Sequence, residues 1–251
     1  MDCLEGMKLI DDESIDLVVT DPPYNERYPY DIYIDYRNDY YEFIENCIIE
    51  IKRVLKKHGS LYMKHSSKSI DKILPILNKH LHFNGLIIWI NSSQSQPKKT
   101  FLSYYEPIYF YYKDKDDVIF NRRAELRKKP PNYWSGKGAK FVGLMQNVWY
   151  DIKSQQGGCV KGQNKEEIDP KTKHKIHSNS MPVELPRRCI LFSSMRGAVV
   201  LDPFMGSGST AVAALLTGRN FIGFEISKNY IDFANRRLNN RRKRRSLEGF
   251  F

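Results

Sequence analysis

Cysteine is scarce and scattered: Cys3, Cys47, Cys159 and Cys189 form no CxxC pair. That spacing argues against a thiolate zinc site and against a disulfide framework, so no metal is expected and the thiols fit a reducing cytoplasm. No apolar run approaches the roughly 18–20 residues that a bilayer-spanning helix needs, and no membrane partner is expected. Met1 runs straight into acidic Asp2 and Glu5, which is not a secretory signal pattern. No GK[ST] follows the glycine-rich stretch, which excludes a phosphate-gripping P-loop, and no full GxGxxG fingerprint is present. Internal repeats are also lacking.

Acidic residues are in the minority. Lys plus Arg number 40 against 29 Asp plus Glu, giving a net charge of +11. That excess points to a polyanionic partner, with nucleic acid the first candidate. The 251 residues are 41% hydrophobic, which suits one large domain, or a core domain carrying an insertion, and excludes global disorder.

Asp16 to Thr20 (DLVVT) is short, apolar and β-branched, and reads as a buried strand. Tyr41 to Lys57 places Phe43, Cys47, Ile51 and Val54 at helical spacing, with Gly59 as a stop signal. Ser60 to Lys64, Leu86 to Ile90 and Pro107 to Tyr112 read as strands, and Ser69 to Leu81 as a helix weakened by Pro75. The rhythm resumes with a strand at Ala198 to Asp202, a helix at Ser207 to Leu216, a strand at Asn220 to Glu225 and a helix at Lys228 to Asn240. Strands alternating with helices predict an α/β class with a doubly wound, mostly parallel sheet. Between residues 113 and 177 the alternation fails, and basic, glycine and aromatic residues mix, so this stretch is expected to be an inserted module. The chain thus divides into 1–112, an insertion at 113–177, and 178–251 with a basic end at Arg241 to Arg245.

Two stretches carry chemistry. Asp21-Pro22-Pro23-Tyr24 follows the first strand and places an acid, a rigid backbone and an aromatic face side by side. Far downstream, Asp202-Pro203-Phe204-Met205-Gly206-Ser207-Gly208 lies between a strand and a helix, where Gly206 and Gly208 permit a tight turn and close ligand approach. Glu225, at the end of the following strand, stands where an acid grips ribose hydroxyls in a doubly wound sheet. A glycine turn plus an acid, without a pyrophosphate fingerprint, suits a nucleoside such as S-adenosylmethionine.

Read together, DPPY and the later DPFMGSGST resemble the signatures of the amino-group DNA methyltransferases. Their order, with the catalytic motif first, is similar to that of the permuted β subgroup. The likeness extends to Asp2-Cys3-Leu4, to Arg53 through Tyr62, to Glu106-Pro107-Ile108-Tyr109, to Asn147-Val148-Trp149, and from Pro182 to Leu238. Ser178 to Pro182 departs from the family's frequent Pro-Thr-Gln-Lys-Pro and resembles some cytosine-N4 members.

The resemblance implies a Rossmann-like S-adenosylmethionine-dependent methyltransferase fold with 113–177 as the target-recognition region. It implies methyl transfer to the exocyclic N6 amine of a flipped adenine in double-stranded DNA, in a restriction-modification setting. Asp21 and the Pro23 carbonyl would accept the amine's N–H groups, Pro22 would stiffen the turn, and Tyr24 would stack on the base. Asp2, Asp202, Phe204, Gly206, Gly208 and Glu225 would hold the cofactor. Arg122, Arg123, Arg127, Lys128 and Lys129 are the expected phosphate contacts, with Gln155 and Gln156 as base readers. Cytosine N4 is the alternative target, although its methyltransferases more often carry Ser where Asp21 stands. An RNA amino-group methyltransferase or an inactive DNA-binding homologue is more distant. Carbon-5 cytosine chemistry needs a thiolate nucleophile, and no cysteine here follows a proline in the expected way. The resemblance also leaves room for a cognate restriction endonuclease and for a homodimer.

Overall fold

Ile15–Thr20 (β1) is buried along its whole length, as expected of a central strand covered on both faces. The computed structural model describes residues 1–90, 103–124, 145–152 and 180–248 of the chain. A short helix at Cys3–Met7 (α1) precedes β1, and Tyr40–Val54 (α2) follows it, burying Phe43, Cys47, Ile51 and Val54 as the spacing predicts. The helix ends three residues early, because Leu55 turns extended and enters Leu55–Lys64 (β2) directly. Leu55 pairs with Ile15 and is fully buried, so sheet pairing overrides the local helical signal, and Gly59 lies inside the strand.

Ile70–His80 (α3) contains Pro75, and His82–Ile90 (β3), Tyr105–Tyr112 (β4) and Val148–Trp149 (β5) follow. Glu184–Ser193 (α4), Val199–Asp202 (β6), Ser209–Thr217 (α5), Asn220–Gly223 (β7) and Lys228–Glu248 (α6) complete the described elements. The seven strands form one sheet in the order β5-β3-β4-β2-β1-β6-β7. β4 runs antiparallel to β2 and β3, and the other pairings are parallel. Alternating burial splits the core into two layers. Val18, Leu61 and Tyr109 pack with α2 and α3 on one face, while Leu17, Tyr62 and Phe110 pack with α4 and α5 on the other.

The chain leaves β1 towards β2 on one side and returns to its other side at β6, so the order of strands reverses between β1 and β6. In an open α/β sheet the crevice beyond the carboxyl ends at such a reversal is where ligands bind. DPPY leaves β1 and DPFMGSG leaves β6 at that point. Because β4 is antiparallel, its amino end, Tyr105 and Glu106, reaches the same edge.

The sheet and the last helix both reach further than the sequence suggests. The stretch 113–177 is not wholly outside the core, since Val148–Trp149 joins the sheet beside β3 and both Trp149 and Ile152 are buried. A two-residue strand has no periodicity to read. The helix expected over Lys228 to Asn240 runs on through the basic residues, because α6 continues to Glu248. Among the described residues no helix is long and apolar enough to cross a membrane.

Candidate active site

Beyond the carboxyl ends of β1, β6 and β7 lies a cavity of about 380 Å³ that includes Asp21, Pro23 and Tyr24 on one wall and Asp202, Phe204 and Glu225 on the other. The two motifs, far apart in sequence, therefore face one space. Asp2 and Gly206 also line it, whereas Pro22 and Gly208 do not.

On the first wall, Asp21 Oδ1 accepts the Tyr24 hydroxyl at 2.6 Å and Lys64 Nζ at 3.2 Å, while Oδ2 accepts Lys64 Nζ at 3.1 Å. A carboxylate oxygen has two acceptor positions, so Oδ2 keeps one for a ligand. Lys64 also contacts the Tyr24 hydroxyl and pairs with Glu106 Oε2 at 2.5 Å. Burial pushes the Asp21 carboxyl up, the Lys64 charge pulls it back, and the Glu106 charge adds to the rise; the net direction is upward. Burial also holds the Tyr24 phenol well above its ordinary value, so it stays a donor to Asp21. The Tyr24 ring lies tilted against His65, with centroids 4.8 Å apart.

The Pro23 carbonyl is held from behind. It accepts the Tyr40 hydroxyl at 2.5 Å, and the same hydroxyl lies 2.7 Å from His65 Nε2. His65 Nδ1 accepts the Ser66 N–H at 2.8 Å, which puts the imidazole proton on Nε2. Burial lowers the His65 pKa to about 4, so the ring is neutral and the chain of donors runs from Ser66 through His65 and Tyr40 to the carbonyl. One lone pair of the Pro23 oxygen remains available. Sequence reasoning missed Lys64, Glu106, Tyr40 and His65.

The loop between Tyr24 and Tyr40 forms a strap along the cavity. Asp35 accepts the N–H groups of Tyr24, Asn25 and Glu26 at 2.9, 2.9 and 3.2 Å, while Asn25 and Arg27 take positive φ. Glu26 is tied to Ser66 and Lys68, and Asp31 accepts Ser227 Oγ at 2.6 Å and Asn229 Nδ2 at 3.1 Å.

On the second wall, Gly206 takes φ +48° and donates its N–H to Glu225 Oε2 at 2.9 Å. Glu225 Oε1 accepts the N–H groups of Ile226 and Ser227 at 2.9 and 2.8 Å, so the carboxylate is fixed with an acceptor position left on Oε2. Burial raises its pKa, and the three backbone donors oppose that rise. Gly208 starts α5 at φ +80°, and a Cβ there would lie 2.8 Å from Ala234 Cβ. Arg237, which the sequence places in a basic run, is buried and donates to the Ser207 carbonyl at 2.6 Å, bracing the turn. Phe204 meets Phe43 edge-to-face with centroids 6.0 Å apart. Asp202 is buried, with Oδ1 accepting Thr20 Oγ1 at 2.8 Å and Phe204 N–H at 3.1 Å; burial raises its pKa to about 6. Asp2 caps α1 by accepting the N–H groups of Leu4 and Glu5.

The structure does not bring Arg122 and Arg123 to this cleft. They are exposed in a turn whose Asn121 N–H donates to the Phe192 carbonyl near the end of α4, beyond Tyr112 at the opposite edge of the sheet. Arg127, Lys128, Lys129, Gln155 and Gln156 lie outside the described residues.

Comparisons with known proteins point to the DNA methylases. A family model of DNA methylases, N6_N4_Mtase, matches residues 15–236. The DNA adenine methyltransferase YhdJ of Escherichia coli (strain K12) is 35% identical over 94% of this chain and 80% of its own length. The type II methyltransferase M.HpaI of Haemophilus parainfluenzae is 31% identical over 94% of this chain and 71% of its own. Among solved structures, the cytosine-N4-specific PvuII DNA methyltransferase superposes with a TM-score of 0.72 at 17% identity, covering 94% of this chain and 83% of that one. The complex of M1.HpyAVI with S-adenosylmethionine does so with a TM-score of 0.64 at 22% identity, covering 95% and 97%. At those identities the likeness is one of fold.

Proposed function

Because the chain belongs to the N6/N4 family of DNA methylases, we propose that it transfers a methyl group from S-adenosylmethionine to the exocyclic N6 amine of adenine in DNA. The observation that carries this reading is the pair of acceptors on the first wall. Asp21 and Pro23 both line the cavity, and Asp21 Oδ2 and the Pro23 oxygen each keep one acceptor position, matching the two N–H bonds of an amino group. The adenine relative at 35% identity, together with Asp at the head of the motif, favours adenine over cytosine N4.

The second wall fits the cofactor. Glu225 Oε2 offers an acceptor for a ribose hydroxyl, the glycine turn leaves backbone room, and Phe204 supplies an apolar surface. Once bound, S-adenosylmethionine supplies a methyl group on a positively charged sulfur. The chain's part is to prepare the nucleophile. An amine conjugated to a purine ring shares its lone pair with the ring, and two N–H acceptors set out of its plane draw the nitrogen towards a pyramidal form. The lone pair then forms the C–N bond while the C–S electrons stay on sulfur. Positive charge develops on nitrogen beside the Asp21 carboxylate, which stabilises it and accepts the surplus proton. A base stacked in a duplex cannot reach this depth, so the adenine enters flipped out, with the Tyr24 ring beside it.

The partner under this reading is double-stranded DNA, acted on in the cytoplasm. The likeness to type II methyltransferases makes a restriction endonuclease the proposed companion, and a homodimer is a further proposal. Expression in cells followed by single-molecule sequencing of plasmid DNA tests the reading. N6-methyladenine at a fixed sequence is expected; N4-methylcytosine, or unmodified DNA with intact cofactor binding, would overturn it.

A further inference from the structure

Lys64 is a buried ammonium at the heart of the site with no part in the transfer scheme above. Its side chain is 6% exposed, and it lies between two carboxylates, 3.1 Å from Asp21 and 2.5 Å from Glu106. The rings of Tyr24 and Trp89 lie 5.0 and 5.8 Å from its Nζ and keep water from it. Lys64 cannot itself meet the amine, which needs acceptors, because an ammonium only donates.

One ammonium shared by two acids gives the trio a net charge of −1, and that composition has a chemical consequence. A buried carboxylate with no cation takes up a proton and ceases to be an anionic acceptor. A carboxylate with an ammonium of its own stays ionised but becomes too weak a base to take the amine's proton. Sharing places Asp21 between those extremes. We propose that Lys64 and Glu106 are positioning residues that act as an opposed pair on Asp21, Lys64 keeping it ionised and Glu106 drawing off enough of the ammonium for Asp21 to receive the amine's proton.

The remaining groups around Asp21 do not do this work. The Tyr24 phenol donates to it, and Tyr30 from the strap is held neutral by burial. Asp202 from β6, bound to Thr20 and Phe204, also repels Asp21 but brings no cation and does not touch Lys64, and His65 is neutral. Lys64 is thus the one cation among the described groups that face Asp21. Burial works against its charge, but the two carboxylates more than offset that, and its pKa is raised.

The inference rests on Asp21 as the amine's acceptor, and the test separates the two ideas. Carbon-13 NMR of aspartate-labelled protein without DNA follows the Asp21 carboxyl in the wild type, Lys64→Met and Glu106→Gln. Removing the cation makes the proton harder to lose, so Lys64→Met moves the Asp21 midpoint up by about one to two pH units. Removing the second anion does the reverse, so Glu106→Gln moves it down. In the variants that retain activity, the acid limb of the kcat–pH profile shifts in the same two directions, while S-adenosylmethionine affinity by calorimetry is unchanged. Shifts of one sign in both variants, or none, would overturn the proposal whatever reaction the protein catalyses. If near-UV circular dichroism shows that Lys64→Met does not fold, Glu106→Gln decides by itself: a downward shift supports the proposal and an upward or absent one overturns it. Opposite NMR shifts with no methyl transfer by the wild type would uphold the electrostatic pair and overturn the amine reading.

Discussion

The two walls of the cleft are built in different ways. The wall proposed to hold the cofactor is mostly local backbone: Gly206, Ile226 and Ser227 present N–H groups to Glu225, and Gly208 turns the chain into α5. The amine wall is mostly side chains gathered from distant elements. Lys64 lies 43 residues from Asp21, Tyr40 lies 17 from Pro23, and Glu106 comes from a different strand again. A wall of backbone depends on a few glycines having room. A wall of converging side chains depends on sheet topology, which brings residues from separate elements to one point. Under the proposed function, the chemistry falls to the second kind.

The largest effect is therefore expected on the amine wall. Asp21→Ala removes an acceptor and the charge that faces the developing cation, and methyl transfer should fall about 100-fold or more. Steady-state assays with labelled cofactor check this; near-wild-type turnover would remove Asp21 from the chemistry. The corresponding break on the cofactor wall is structural. Gly208→Ala puts a side chain at φ +80° and 2.8 Å from Ala234 Cβ, and stability should drop by about 1–2 kcal/mol in thermal or urea unfolding.

Tyr40→Phe is a smaller, sharper probe, because it keeps the ring and deletes only the hydrogen bond to the Pro23 carbonyl. The carbonyl loses its fixed direction, so kcat should fall about 3- to 10-fold with cofactor affinity unchanged. An effect on affinity instead would assign Tyr40 to the other wall. The smallest effect is expected where the strap joins the two walls. Asp31→Ala releases Ser227 and Asn229, and cofactor dissociation measured by stopped flow should quicken about two- to threefold.

The same contrast decides what could be read before the fold was seen. The wall proposed for the cofactor was legible because DPFMGSG is continuous and Glu225 follows the next strand closely, two residues past its end at Gly223. Of the amine wall only the continuous part, Asp21 to Tyr24, was legible. Lys64 looked like the end of an apolar strand and Tyr40 fell just outside the helix as read from periodicity. Glu106 could reach Asp21 only because β4 runs antiparallel beside β2, which alternation of strands and helices does not predict. A charged residue closing an otherwise apolar strand, as in Leu61-Tyr62-Met63-Lys64, was the available signal. Arg237 went unnoticed for a related reason: its charge gives no sign that it is buried against the Ser207 carbonyl.

The division of labour between the walls is tested most directly by calorimetry of S-adenosylmethionine binding to Asp21→Ala and Glu225→Ala side by side. Deleting a fixed, charged acceptor should weaken binding about 10-fold or more in Glu225→Ala, while Asp21→Ala should bind within about twofold of the wild type, because its lost interaction is with the amine. Equal weakening in both, or loss confined to Asp21→Ala, would contradict the account.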